Sequence, residues 1–222
     1  MNKASPGEFH IAVFARAPVP GRVKTRLIPL LGAEGAARAQ RQMLLRTLRT
    51  AQQAAPGKLS LWIAGGITHP FLQDCSREFG AMLYSQCGGD LGQRMDDCLR
   101  QLLARESKVL LIGSDCPAFT PQILTDAAAA LGPGRDLVFV PAEDGGYVLV
   151  GAQRHVDGAM PPALDAAFRD IPWSTADVMT VTRQRLAALD RMAGPVWQEL
   201  PARWDVDQPA DYLRAQRAGF ID

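Results

Sequence analysis

A single-domain α/β protein with a mostly parallel central sheet is the architecture this sequence predicts over residues 1–222. Three observations point there. Short apolar runs such as Ile11-Ala12-Val13-Phe14-Ala15 and Val109-Leu110-Leu111-Ile112 read as strands covered on both faces. Each is followed by a punctuated loop and then a helical pattern, giving a repeating strand, loop, helix unit. Residues suited to chemistry gather in the loops that follow the strands, where open α/β sheets collect their ligands.

The first strand begins near Phe9 and stops before Pro18, Pro20 and Gly21. Ala36, Ala37, Gln40, Met43, Leu44, Thr47, Leu48 and Ala51 then recur at helical spacing, with arginines over much of the opposite side. A second strand covers Leu59 to Ala64, followed by a short helix around Phe71 to Phe79 and a strand around Ala81 to Ser85. Gly88 and Gly89 turn the chain into a helix from Leu91 to Leu103 that directs Met95, Cys98, Leu99 and Leu102 inward. After Val109–Ile112, Thr120 caps a helix with Pro121 in its first turn.

Leu137–Val140 and Tyr147–Val150 are joined by too few residues for a crossover helix, so they are expected to leave the parallel pattern and form a hairpin or a break at the sheet's edge. A helix around Pro162–Phe168 precedes a longer one from Ala176 to Met192, expected to pack Val178, Val181, Leu186 and Leu189 inward; Thr175 with Ser174 and Asp177 reads as its cap or as a substrate contact. Trp197–Leu200 reads as a late strand, and Asp205–Asp211 leads into a last helix with an acidic first turn. Trp62 belongs to a strand, while Trp173, Trp197 and Trp204 fill core or interface positions.

Composition excludes several classes. With 47% hydrophobic and 21% charged residues the chain is globular, and a net charge of +1 offers no global attraction to nucleic acid or anionic lipid. Cys75, Cys87, Cys98 and Cys116 lack C-x-x-C spacing, and only His10, His69 and His155 are available as imidazole partners, which disfavours structural zinc. Scattered thiols suit a reducing cytoplasm. No apolar run approaches the roughly 20 residues of a membrane span, and the polar stretch Met1–His10 is not arranged as a signal peptide.

Arg16, Arg22, Lys24 and Arg26 lie within eleven residues without an intervening acid, around the turn at Gly21. They read as a phosphate site at a helix start or as a solvated basic surface, and they do not match G-x-x-x-x-G-K-[ST]. Asp115, directly after a central strand, reads as a Mg²⁺ ligand or as a helix cap. Asp90 beside Gly89 and Gly92 is a ligand contact or a cap, and Asp144, with Glu143 before Gly145-Gly146, a substrate contact or a turn former. Asp207, close to Asp205, is a second metal ligand or a helix N-terminal carboxylate. No Ser/His/Asp or Cys/His arrangement is legible, so direct attack without a covalent enzyme intermediate is expected.

Five stretches together resemble the bacterial DUF2064 family, glycosyltransferase-like members of the GT-A nucleotide-diphospho-sugar transferase superfamily. They are Phe14 to Leu27 (FARAPVPGRVKTRL), Gly89 to Met95 (GDLGQRM), Ile112 to Pro117 (IGSDCP), Pro141 to Tyr147 (PAEDGGY) and Asp205 to Asp211 (DVDQPAD), and they span almost the whole chain. The resemblance implies a three-layer α/β/α, Rossmann-like GT-A fold. It implies Mg²⁺ or Mn²⁺ held by Asp115 and Asp207, with Arg16, Lys24 and Arg26 meeting phosphate; Lys24, Arg26 and Asp115 are then the catalytic candidates and Gly21, Arg22, Asp90 and Asp144 join the nucleotide contacts.

Lys24-Thr25-Arg26-Leu27 also resembles the basic segment of phospholactate guanylyltransferases and departs from the glycine-rich first loop of molybdenum-cofactor guanylyltransferases. The expected activity is nucleotidyl transfer from a nucleoside triphosphate to a small phosphorylated acceptor, favoured by the concentrated positive charge. Glycosyl transfer from a nucleotide-sugar is the alternative, and a noncatalytic nucleotide-binding module is a reading of a different class. No nucleic-acid partner and no membrane insertion are expected; a homodimer is left open.

Overall fold

The computed structural model describes residues 9–190 and 196–222; the chain start at residues 1–8 and the expected helix end at Met192 lie outside them. The strands are β1 (His10–Arg16), β2 (Leu59–Ala64), β3 (Met82–Ser85), β4 (Lys108–Gly113), β5 (Leu137–Pro141), β6 (Tyr147–Gln153) and β7 (Trp197–Glu199). They form one sheet in the order β3-β2-β1-β4-β6-β5-β7. Neighbouring strands run parallel except β6, which is antiparallel to both β4 and β5. The β5–β6 pair is the expected hairpin, but it does not lie at the sheet's edge, because β7 pairs in parallel with β5 beyond it.

The helices are α1 (Ile28–Ala54), α2 (Pro70–Phe79), α3 (Leu91–Leu103), α4 (Pro121–Ala130), α5 (Ala163–Phe168), α6 (Val178–Asp190) and α7 (Pro209–Arg217). Alternation along the strands builds two cores. Ile11, Val13 and Ala15 of β1 point to the face that Leu44 and Leu48 of α1, Leu72 of α2 and Leu124 of α4 cover. Ala12, with Trp62, Leu111 and Phe139, faces the layer carrying Leu99 of α3, Leu164 of α5 and Leu186 of α6. A third cluster docks Val206 and Tyr212 of the C-terminal segment on Leu27, Ala36 and Met43. The architecture is the expected α/β/α.

Local signals explain the boundaries. Asp90 accepts from Gln93 N while the Gln93 side chain accepts from Asp90 N, a reciprocal cap that starts α3 at Leu91. Thr120 accepts from Ile123 N and starts α4 ahead of Pro121. α1 extends further back than its apolar stripe predicts, to Ile28, through a break at Gly32, whose φ of 70° needs glycine. One packing expectation is corrected: Leu189 is an exposed residue, because α6 turns Val178, Met179 and Leu186 to the sheet and leaves Leu189 on its outer side. Among the described residues, no helix is long and apolar enough to cross a membrane.

Candidate active site

The order of the sheet reverses between β1 and β4, the two strands that begin units extending in opposite directions. A cleft of about 520 Å³ opens at their carboxyl ends. It is lined by Arg16, Arg22, Lys24 and Arg26 from the first loop, by Ser114 and Asp115 after β4, by Arg94 and Met95 of α3, by Tyr147 of β6, and by Asp207.

Lys24 stands at the centre. It has left-handed backbone (φ 44°), uncommon for a residue with a side chain, and opens a 3-10 turn over Thr25–Leu27. Its ammonium donates to Asp115 Oδ2 at 2.8 Å and to the Val206 carbonyl at 2.6 Å, and lies 3.9 Å from Asp207 Oδ1. The Lys24 side chain is only 8% exposed. Burial opposes its charge, but Asp115 first, then Asp207 and Asp205, hold its pKa above the ordinary lysine value. Arg26, on the exposed side, hydrogen-bonds Asp207 Oδ2.

Backbone geometry brings the carboxylates together. Gly113 leaves room for Asp115, since a Cβ there would lie 2.8 Å from Asp115 Oδ1. Val206 N donates to the Asp115 carbonyl at 2.9 Å, which carries Asp205 and Asp207 to the end of β4. Asp205 is half-buried, and burial, then the Asp115 and Asp144 carboxylates, push its pKa up to about 7. Gln40, a buried polar residue in the inward stripe of α1, donates to Ser114 Oγ at 3.1 Å and braces the same loop. Burial pushes the neighbouring Cys116 thiol up to about 12, which makes it a packing residue and not a nucleophile.

Arg16, Arg22 and Arg94 line the cleft without a carboxylate partner among the described residues; Arg94 Nε donates only to the Gly89 and Asp90 carbonyls. The cleft therefore holds an acidic group tied by Lys24 and Arg26, and three guanidinium groups that have no carboxylate partner among the described residues. The acidic donors suit a hard cation: two carboxylates plus phosphate oxygens and water are a usual Mg²⁺ set. The Val206 N to Asp115 carbonyl bond sets Asp205 and Asp207 beside Asp115, a gathering of carboxylates that such a cation would relieve. Among the described residues no group of three or more His, Cys, Asp or Glu forms a ready metal cage, so the fit is to Asp115 and Asp207 together with ligand oxygens.

Asp115, Asp207, Arg16, Arg22, Lys24 and Arg26 thus meet in one cleft. Gly21 does not line it; its φ of 76° makes the turn that delivers Arg22. Asp90 is engaged in the α3 cap. Asp144 Oδ1 accepts from Gly146 N at 3.0 Å in the hairpin turn, close enough to Asp205 to act on it electrostatically. Thr175 Oγ1 accepts from Asp177 N, a local turn ahead of α6 rather than a cap on its first N–H groups. Arg94, Gln40 and Tyr147 are site residues that motif reading left unassigned. The sequence signal for Gln40 was a polar residue on an apolar helical stripe; Arg94 and Tyr147 sat inside motifs whose acids and glycines drew the reading.

The family model described as an uncharacterized protein conserved in bacteria, DUF2064, matches residues 47–175. Among solved structures, the chain is similar to a provisionally named nucleotide-diphospho-sugar transferase from Desulfovibrio desulfuricans G20, with 29% identity, a TM-score of 0.73, and 91% of this chain and 83% of that one covered. A nucleotidyl transferase from Methanothermobacter thermautotroptrophicus shares the fold at 15% identity and a TM-score of 0.60, over 95% of this chain and 97% of that one. Glucosyl-3-phosphoglycerate synthase from Mycobacterium tuberculosis, in complex with Mn²⁺, UDP and glucosyl-3-phosphoglycerate, does so at 13% identity and a TM-score of 0.50, over 94% and 76% of the two chains. No curated protein matches in sequence. With a family model covering more than half of its length and a transferase fold shared along nine-tenths of it, this chain belongs to the DUF2064 family and has the fold of the nucleotide-diphospho-sugar transferases.

Proposed function

We propose that the protein is a divalent-metal-dependent transferase that moves a nucleotidyl group from a nucleoside triphosphate to a small phosphorylated acceptor. The observation that carries this reading is the mixed charge of the cleft: Asp115 and Asp207 line it together with Arg16, Arg22 and Arg94, which have no carboxylate partner among the described residues. A metal polyphosphate has the matching form, a cation that seeks carboxylates joined to an anion that seeks guanidinium groups.

Asp115 and Asp207 would hold Mg²⁺ or Mn²⁺, which when bound neutralises phosphate charge. Arg16 and Arg22 would orient the β and γ phosphates, and Arg26, already beside Asp207, would stabilise charge developing on the leaving group. An acceptor phosphate oxygen attacks the α phosphorus as the bond from that phosphorus to the bridging oxygen breaks, releasing pyrophosphate. Arg94, at the α3 side of the cleft, is suited to the acceptor phosphate. Asp144 and Asp90 support the site from its margins through the hairpin turn and the α3 cap. Four cysteines without disulfides suit a cytoplasmic setting.

Glycosyl transfer is the second reading, supported by the Mn²⁺ and UDP complex of a protein with the same fold. Both phosphates would then stay on the departing nucleoside diphosphate. Incubation with Mg²⁺, labelled nucleoside triphosphates or nucleotide-sugars, and a panel of phosphorylated acids and sugars separates the two. Acceptor-dependent pyrophosphate release is expected. Acceptor-dependent release of nucleoside diphosphate from a nucleotide-sugar, with no triphosphate consumed, would overturn nucleotidyl transfer in favour of glycosyl transfer. Tight metal-nucleotide binding without turnover across the panel would favour a noncatalytic module.

A further inference from the structure

We propose that Lys24 is an exchange ion: its ammonium holds the place between Asp115 and Asp207, and hands these carboxylates to the divalent cation only when a phosphate of the nucleotide receives the ammonium in turn. Metal and nucleotide are then taken up together, each poorly bound without the other. This rests on the metal-dependent reading above.

The geometry is that of a site already bridged by a cation. Lys24 Nζ lies 2.8 Å from Asp115 Oδ2 and 3.9 Å from Asp207 Oδ1, and its remaining bond, at 2.6 Å, goes to the carbonyl of Val206, the residue that precedes Asp207. An ammonium has three hydrogens and no acceptor; two of them go to Asp115 and the Val206 carbonyl, and the Asp207 carboxylate lies beyond hydrogen-bond distance but within reach of its charge. A divalent cation held by Asp115 and Asp207 would call on carboxylates that the ammonium already faces. Two cations crowded there would repel, so Lys24 must move for the carboxylates to ligate.

Lys24 also has somewhere to go. It lines the same cleft as Arg16 and Arg22, and its flexible four-carbon stem can redirect a point charge that a planar guanidinium could not. The left-handed backbone at Lys24 is independent of this swing, because it sets where the stem starts and not where the ammonium ends. A phosphate on the guanidinium side of the cleft offers the ammonium an anion in exchange for the carboxylates it leaves. A lysine that were only a strut would remain on Asp115 throughout.

The test titrates Mn²⁺ alone, without nucleotide, into wild type, Lys24→Met, Lys24→Arg and the Lys24→Met/Asp115→Asn double variant by calorimetry. Removing the competing charge should tighten Mn²⁺ binding at least about fivefold, the lower range of ordinary site-to-site coupling. Lys24→Arg keeps the cation and should show no gain, and the double variant should lose it. Equal Mn²⁺ affinity in wild type and Lys24→Met overturns the proposal.

A second measurement needs only the wild-type fold. The side-chain ¹⁵N resonance of Lys24, assigned by its absence from Lys24→Arg, should stay in place with Mg²⁺ alone and move when Mg²⁺ and inorganic pyrophosphate are added together. If calorimetry shows Mg²⁺-pyrophosphate binding while the resonance stays fixed, Lys24 is a strut and the metal reading survives. If Mg²⁺-pyrophosphate does not bind at all, the metal reading itself fails and the exchange role with it.

Discussion

At the residue scale, Asp115 joins the most structural threads: its carboxylate holds Lys24 and its carbonyl receives Val206 N. Asp115→Asn keeps the shape but removes the charge. The protein should fold with a loss of about 1–3 kcal/mol, the usual worth of a charged hydrogen bond, because Lys24 retains the Val206 carbonyl and Asp207. Affinity for Mg²⁺-nucleotide should fall at least about tenfold, or about 1.4 kcal/mol. Unchanged affinity in titration calorimetry removes Asp115 from the metal site. Gly113→Ala tests the same carboxylate from behind, since the new Cβ would press on Asp115 Oδ1 from 2.8 Å. It should weaken Mg²⁺-nucleotide binding while leaving far-ultraviolet circular dichroism unchanged; an unaltered affinity would show that the carboxylate needs no fixed rotamer.

At the element scale, β1 carries the first loop at one end and a buried histidine at the other. His10 is 2% exposed, its Nε2 lies 2.8 Å from Ser60 Oγ, and its Nδ1 has no hydrogen-bond partner. Burial pushes its pKa down from 6.5 to about 4, against the attraction of Glu106 and with help from Lys58 and Arg105. The unfolded chain therefore takes up this proton first as pH falls. The contribution of His10 is fully present above about pH 6.5 and is lost towards pH 4, below which both states are protonated and the loss stops. The loss should amount to roughly 3 kcal/mol. Urea unfolding between pH 7.5 and 4.5 should show that slope in wild type and a flatter one in His10→Gln; identical slopes would assign the acid sensitivity elsewhere.

Element boundaries were legible where local hydrogen bonds set them. Thr120 before Pro121 could be read because a cap and its receiver lie three residues apart, whereas Asp90 stayed open between a cap and a ligand contact until its reciprocal bonds with Gln93 were seen. The orientation of Leu189 was not, because apolar spacing shows that a helix has an inner side without saying where the sheet ends beneath its last turn. Leu189 is 38% exposed.

At the scale of the whole molecule, the net charge of +1 conceals a cleft lined by both signs of charge, in which Lys24 and Arg26 are paired with carboxylates and Arg16, Arg22 and Arg94 have none among the described residues. Nucleotide with Mg²⁺ or Mn²⁺ should engage both signs and raise the melting temperature. At a ligand concentration near a hundred times Kd the stabilisation is about 2.7 kcal/mol, or about 5–10 °C for a chain of this size. Metal alone should give little shift. A thermal-shift screen of nucleoside triphosphates and nucleotide-sugars, with and without metal, checks this; equal melting points throughout, with calorimetry showing no binding, would remove the nucleotide reading.

The sequence by itself determined the α/β class, the hairpin within a parallel sheet, the start of the helix after Thr120, and the loops in which chemistry is concentrated. Each of those signals is short-range: strand alternation, helical periodicity, a capping side chain, a turn glycine. Only the tertiary structure decided what Lys24 touches. Its partners Asp115 and the Val206 carbonyl lie 91 and 182 residues away. They meet because the sheet sets β1 beside β4 and the segment before α7 docks back on the end of β4. A run of basic residues reads as a phosphate site as long as its surroundings are unknown; with Asp115 and Asp207 brought beside one member, Coulomb attraction holds the Lys24 ammonium on carboxylates that no local pattern announces.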